Sequence, residues 1–164
     1  MSTSKTTYIG LGSNLDNPIQ QVQLALHRLA ELPDTQLCCH SSLYRSVPLG
    51  AMDQPDYINA VAKLETTLSA LQLLSELQQL EIQQGRVRTS VRWSARTLDL
   101  DILLYNQMDL QDPRLTLPHP GLTLRNFVLY PLYECEPDLI LPNGQVLQTM
   151  IQERIPQGLE KLLS

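Results

Sequence analysis

Two stripes of aliphatic residues at helical spacing sit among short runs of period two, and this order restricts the chain to a sheet with helices packed on it. Val22, Ala25, Leu26 and Leu29 make the first stripe; Leu73, Leu74, Leu77 and Leu80 make the second. Thr7–Leu11 precedes the first as a strand. Leu37–Tyr44 and Tyr57–Glu65 lie between the two stripes, the latter with Ile58, Ala60, Ala62 and Leu64 on one face. Leu98–Tyr105 follows as a fourth strand.

Local signals punctuate these elements. Gly12, Ser13 and Asn14 read as a turn. Asn17 and Pro18 read as a helix start, with a capping side chain and Pro in the first helical position. Pro33 and Asp34 end that helix. Ser69 with Gln72 has the spacing of a capping box, and Gly85 of a C-terminal stop. Ser46–Pro55 and the Pro-rich 113–120 stretch read as loops, Asn126–Glu134 as short helical segments, and Asn143-Gly144 as a tight turn. The order strand, helix, strand, strand, helix, strand predicts an α+β fold, a ferredoxin-like sandwich. In it helices cover one face of a mostly antiparallel sheet, with extra C-terminal elements. No repeat or linker divides residues 1–164, which are expected to form a single domain.

Composition narrows the function classes. The 164 residues are 43% hydrophobic but only 5% aromatic, so Leu, Ile, Val and Ala must build the core. A net charge of -5 disfavours a nucleic-acid binder. The charge is uneven, however: Arg86, Arg88, Arg92 and Arg96 lie together with no acidic residue among them, which points to a small polyanion. Cys38, Cys39 and Cys135 form neither a disulfide framework nor a zinc motif and are expected to be reduced, mostly buried thiols. The N-terminus lacks a signal-like apolar run, and no stretch is long enough to span a bilayer, so the expected location is cytoplasmic.

The strongest chemical signal is Leu98-Asp99-Leu100-Asp101-Ile102. Side chains alternate along a strand, so Asp99 and Asp101 share a face with Cβ atoms about 7 Å apart. Asp forms strands poorly. The pair is either a solvated acidic face or two oxygen ligands for magnesium, which favours a few carboxylates together with phosphate oxygens and water. The four Arg just before it would supply forks for phosphate, or form a solvated basic loop. Trp93, the only Trp, lies in that basic stretch and packs either beside a nucleotide or into a core. Tyr57 and Asn59 share a strand face able to stack on a flat heterocycle and bond its edge; an ordinary strand face is the plainer alternative. Phe127 is either the other side of a ring sandwich or core. Glu81 continues the apolar stripe of the second helix, where an unpaired carboxylate is costly; it faces a ligand or an Arg, or sits half exposed at the helix end. His119 is held between two prolines; His27 and His40 read as structural. There is no phosphate-loop motif, and Gly10-Leu11-Gly12 lacks the third Gly of a dinucleotide fingerprint.

Taken in order, several blocks resemble the 6-hydroxymethyl-7,8-dihydropterin pyrophosphokinases. They are Gly12–Leu15, Ser41–Arg45, Asp53–Ala60, Glu81–Arg88, Arg96–Ile102, Pro118–Pro120, Arg125–Leu129 and Pro131-Leu132. The resemblance runs from Tyr8 to about Glu153. It implies pyrophosphate transfer from ATP to the pterin alcohol, giving AMP and the pterin diphosphate in folate synthesis. It implies Asp99 and Asp101 as ligands of two magnesium ions, with Arg86 and Arg96 as catalytic loop residues. By position, Gln78, Glu81, Arg88, Trp93, Ile102, Arg114, Thr116, His119 and Arg125 match the ATP site. Tyr57 and Phe127 match the pterin sandwich and Asn59 its edge contact, with backbone groups near Ser46 and Leu49 completing it and Val47 in the lining. Ser94 stands where the family has Gly or Ala, and Thr89 where well-studied members have Lys, which bears on loop stiffness and on one phosphate contact. Val47 and Pro120 vary within the family.

The expected enzyme is therefore a monomer acting on two small molecules, with no nucleic-acid or membrane partner. Two other classes share some of these features. An RNA-binding ferredoxin-like domain would carry exposed aromatics on its central strands, and its phosphates would be repelled by Asp99 and Asp101. A nucleotide kinase moving only the γ-phosphate would release ADP.

Overall fold

A computed structural model describes residues 3–46, 56–85, 97–154 and 158–162. Eight strands and four helices are described there: β1 (Lys5–Ser13), α1 (Pro18–Ala30), β2 (Thr35–His40), β3 (Tyr44–Ser46), β4 (Tyr57–Thr66), α2 (Ala70–Gln83), β5 (Asp99–Tyr105), β6 (Leu110–Asp112), β7 (Leu115–Leu117), α3 (Asn126–Cys135), α4 (Leu147–Gln152) and β8 (Leu159–Lys161). The main sheet runs β5-β1-β4-β3-β8, with β2 also paired to β4, and every pairing is antiparallel. This is the expected α+β architecture.

Period-two alternation along β1 and β4 splits the interior into two cores. Ile9, Leu11, Ile58, Ala60, Ala62 and Leu64 face α1 and α2, meeting Val22, Ala25, Leu26, Leu29, Leu73, Leu77 and Leu80. Tyr8, Val61, Leu103 and Leu104 face the other way, against Val128, Leu129 and Leu132 of α3 and Leu147 and Met150 of α4. Helices thus cover both faces, not one. The C-terminal elements left over from the two-helix reading form the second cover, and α3 lies on β4.

Several local expectations change. Gly12 and Ser13 belong to β1 rather than to a turn, because both pair with β4 residues, Gly12 with Asn59 and Ser13 with Ile58. Pro18 does open α1, but Asn17 is left-handed (φ 63°) and its side chain makes no capping bond. The predicted second strand is two: β2 stops at His40 and β3 begins at Tyr44. The Pro-rich 113–120 stretch holds the turn and second strand of the β6–β7 hairpin, which begins at Leu110. Asn126–Cys135 is one helix running through Pro131, whose ring removes the N–H that would bond the Phe127 carbonyl. The capping box of α2 is present in both directions, Gln72 N–H to Ser69 Oγ and Ser69 N–H to Gln72 Oε1, and Gly85 closes that helix with φ +92°.

Two β-bulges set which way later side chains point. Tyr8 pairs with Leu104 and Ile9 with Ile102, so Leu103 is the extra residue of β5. In β2, Leu37 pairs with Leu64 and Cys39 with Lys63, so Cys38 is the extra residue. Cys38 and Cys39 are exposed and Cys135 is half-buried, against the expectation of buried thiols. No described helix is long and apolar enough to cross a membrane.

Candidate active site

The site lies on the α3 side of the sheet, across the ends of β5, β1 and β4. Asp99 pairs with Gly12 and Asp101 with Gly10, so both carboxylates leave the same face of β5. On the other side of β1, Gly12 pairs with Asn59. A row Asp99, Gly12, Asn59, Tyr44 therefore crosses four strands. Gly12 is its floor: a β-carbon added there would meet Asn59 Oδ1 at 3.4 Å, Tyr57 Cδ1 at 3.7 Å and Asp99 Cβ at 4.0 Å. The carboxylate pair and the Tyr57/Asn59 pair, predicted separately, flank one bare stretch of backbone.

Both Asp side chains remain accessible, and that of Asp101 is 48% exposed. This suits a hard cation that keeps water and phosphate oxygens among its ligands. Among the described residues no group of three His, Cys, Asp or Glu forms a closed cage; an open two-carboxylate site fits magnesium, which takes its other ligands from water and substrate.

Glu81 holds the backbone between the two aspartates. It is 4% exposed, and its Oε2 accepts the Leu100 N–H at 2.8 Å. β5 is an edge strand, so this N–H has no ladder partner on that side. The half-exposed alternative for Glu81 is thereby overturned: the carboxylate is buried and engaged.

His119 approaches from the loop after β7. Its own N–H bonds Leu103 O at 3.0 Å, and its Nδ1 accepts from Gly121 N–H at 3.0 Å. The neutral ring must then carry its proton on Nε2, which lies 3.9 Å from Asp101 Oδ1. A β-carbon at Gly121 would come within 2.9 Å of the Arg125 guanidinium, so a larger residue there would displace that side chain. Arg125 in turn sits 5.6 Å from the centroid of the Phe127 ring, a cation–π arrangement at the start of α3.

On the pterin-matching side, Asn59 and Ser46 are buried, and Asn59 Nδ2 donates to Ser46 Oγ at 2.6 Å. The Ser46 hydroxyl thus orients the Asn59 amide. Tyr57 is half-buried at the start of β4. Phe127 is also half-buried and packs against the α3 core. Among the other ATP-matching residues, Gln78 lies on α2, and the Ile102 side chain is buried toward α1 and α2, leaving only its edge-strand backbone to a ligand. Arg114 and Thr116 are exposed on the β6–β7 hairpin, where Arg114 bonds Asp112 Oδ1 at 3.2 Å. Arg86, Arg88, Trp93, Arg96, Val47 and Leu49 lie outside the described residues, as does Ser94.

Gly12 and Gly121 were not singled out as site residues in the sequence. The signal was present for the first: Gly10 and Gly12 stand two apart inside a strand, the mark of a close approach.

Comparison with known proteins gives the family and the fold. The family model described as 7,8-dihydro-6-hydroxymethylpterin-pyrophosphokinase matches residues 8–137. The chain is 51% identical over 157 residues to the 2-amino-4-hydroxy-6-hydroxymethyldihydropteridine pyrophosphokinase of Haemophilus influenzae, covering 96% of this chain and 98% of that one. It is 49% identical to the protein of that name from Pseudomonas aeruginosa, covering 94% and 95%. The crystal structure of wild-type Plasmodium falciparum HPPK-DHPS with pteroate shares the fold, with a TM-score of 0.74 at 13% identity over 93% of this chain. The chain spans 43% of that larger protein. This chain belongs to the 7,8-dihydro-6-hydroxymethylpterin-pyrophosphokinase family.

Proposed function

We infer that Asp99 and Asp101 hold two magnesium ions on the triphosphate while the chain carries out its family's reaction. That reaction is transfer of pyrophosphate from ATP to 6-hydroxymethyl-7,8-dihydropterin, giving AMP and the pterin diphosphate in folate synthesis. The observation that supports the assignment is the Gly12 floor, which puts Asp99 on one side and Tyr57 with Asn59 on the other.

Magnesium supplies charge neutralisation for the triphosphate and the developing leaving group. The chain's own residues supply position. Glu81 fixes the backbone from which both aspartates project, and His119 presents its Nε2–H toward Asp101. Asn59, with its amide oriented by Ser46, bonds the edge of the pterin, and Tyr57 and Phe127 cover its two faces. The nucleotide lies along Gln78, Glu81, Arg88, Trp93, the Ile102 backbone, Arg114, Thr116, His119 and Arg125. Arg86 and Arg96 stabilise the charge that develops as the β-phosphorus is attacked. Pyrophosphoryl transfer asks mainly for such alignment and charge compensation. We further propose that residues 1–164 act as one domain and that the enzyme is a cytoplasmic monomer acting on two small molecules, without nucleic acid or membrane.

The deciding experiment is turnover with ATP, magnesium and the reduced pterin, with products resolved. AMP in one-to-one yield with the pterin diphosphate is expected; ADP, or AMP release independent of the pterin, would overturn this reading.

A further inference from the structure

On the same face of the sheet as the site, but at the other end of β4 from Tyr57 and Asn59, two cysteines 96 positions apart in sequence meet: Cys39 Sγ lies 3.2 Å from Cys135 Sγ and 3.8 Å from the Cys135 carbonyl. The approach is built in from both sides. On β2, the bulge at Cys38 turns Cys39 out of strict alternation, so that it pairs with Lys63 and shares the α3 face with it. On α3, the residues either side of Cys135 are both tied to the sheet. Glu134 accepts Ser42 N–H at 2.9 Å, Ser42 Oγ–H at 2.8 Å and Tyr44 O–H at 2.6 Å. Glu136 accepts from Lys63 Nζ at 3.1 Å. Lys63 is thus both the ladder partner of Cys39 and the ion-pair partner of the residue after Cys135. Four bonds hold the end of α3 against β3, β4 and the link between β2 and β3, and the sulfur pair sits beside that frame. The sulfurs are about 1.2 Å farther apart than in a disulfide, a gap that small rotations about the two Cα–Cβ bonds can close.

We propose that Cys39 and Cys135 form a peroxide-responsive dithiol, whose oxidation closes a reversible disulfide tying strand β2 to the end of helix α3. Cys39 is the exposed partner and meets the oxidant first. Its thiolate attacks hydrogen peroxide: an S–O bond forms, the O–O bond breaks, and hydroxide leaves and takes up the proton that the Cys39 thiol released, giving water and the Cys39 sulfenic acid. The Cys135 sulfur then attacks Cys39 Sγ. The S–S bond forms as the S–O bond breaks, and the departing hydroxide takes the Cys135 proton as a second water. Two thiols and one peroxide give one disulfide and two waters. A thiol reductant reverses the step by exchange. Cys38, although exposed and adjacent, has no sulfur neighbour among the described contacts of Cys135 and is not the partner.

The test uses the full chain, reduced and freed of reductant, then treated with hydrogen peroxide, alkylated and weighed intact. The expected product is a monomer lighter by two hydrogens, with one alkylated cysteine and a raised Tm, both effects reversed by dithiothreitol. Cys38→Ser should form the link as fast as the parent, while Cys39→Ser and Cys135→Ser should form it at least tenfold less. All three variants are compared with the parent for Tm in the reduced state, to separate misfolding from loss of the link. A link that survives in Cys39→Ser or is lost in a folded Cys38→Ser would overturn the pairing. Covalent dimers, sulfinic acid without a link, or an oxidised form no more stable than the reduced one would overturn the staple.

Discussion

The Glu81 carboxylate accepts the Leu100 N–H at 2.8 Å, so that helix α2 grips the peptide link between Asp99 and Asp101. Removing that acceptor leaves a buried N–H unpaired, at about 1–3 kcal/mol. For Glu81→Ala we expect a Tm lower by several degrees and a kcat down about tenfold, with KM for ATP changed less. Glu81→Gln keeps an acceptor oxygen and should recover most of the loss. Thermal melts and steady-state kinetics on the two variants check this; equal turnover in Glu81→Ala and parent would remove the positioning role.

Asp99→Ala and Asp101→Ala should each lower turnover by about 10²–10³-fold, the size of effect seen when a group that stabilises developing charge is lost. Neither should unfold the chain, because both side chains are accessible and lie at the edge of the sheet. Circular dichroism with product analysis separates the two effects. Full activity in either variant would remove it from the metal site.

For Arg96 the prediction rests on sequence, since the residue lies outside the described positions. Arg96→Ala should slow the chemical step far more than it weakens ATP binding. Single-turnover kinetics set beside equilibrium ATP titration decide it, and a change confined to the binding constant would make Arg96 a binding residue only.

Gly12 leaves the floor between Asp99 and Asn59 bare. A β-carbon there makes ordinary contacts with Asn59 and Tyr57, so Gly12→Ala should fold normally. It should nevertheless raise KM for the pterin by roughly tenfold, about 1.4 kcal/mol of lost binding, and Gly12→Val should raise it further. Calorimetric titration with the pterin would show whether binding is what changes.

Glu134 gives the fold an acid limit. Burial pushes its carboxyl upward, but hydrogen bonds from Tyr44 and Ser42, with the Lys161 charge, outweigh burial and hold it below the ordinary glutamate range. A carboxyl depressed on folding adds stability above its unfolded value, and that stability is lost as pH falls through the folded one. Glu134→Gln should therefore be less stable than the parent near pH 7, and the gap should close as pH drops below about 4. Denaturant midpoints across that range measure it; a gap independent of pH would assign the role of Glu134 to shape alone.

Much of the active face was legible because it depends on period and spacing. Asp99 and Asp101, or Tyr57 and Asn59, are two apart on a strand and must share a side. The capping box at Ser69 was legible for the same reason. What escaped depends on contacts with no local signature. The bulges at Cys38 and Leu103 insert one residue into an otherwise regular alternation, and nothing within the strand itself marks them. The approach of Cys39 to Cys135 needs the whole sheet in place. Asn17 looked like a side-chain cap because its residue type suits one, yet it spends its tolerance of positive φ on the turn instead. The β6–β7 hairpin was masked by the Pro residues around it, and α3 by Pro131, which a helix admits here because burial of Val128, Leu129 and Leu132 offsets the missing bond.

The pairing of Gly12 with both Asp99 and Asn59 makes β1 intolerant of changes in length. Deleting a single residue between Tyr8 and Gly12 would turn the strand over. Leu11 would then face the side of Tyr57 and Asn59, and a glycine would leave a hole beneath α1 and α2. Variation along this stretch is thus confined to substitution, and even that is asymmetric: one side of the strand accepts any aliphatic residue of suitable volume, while on the other Gly10 and Gly12 leave room for little beyond a single added carbon.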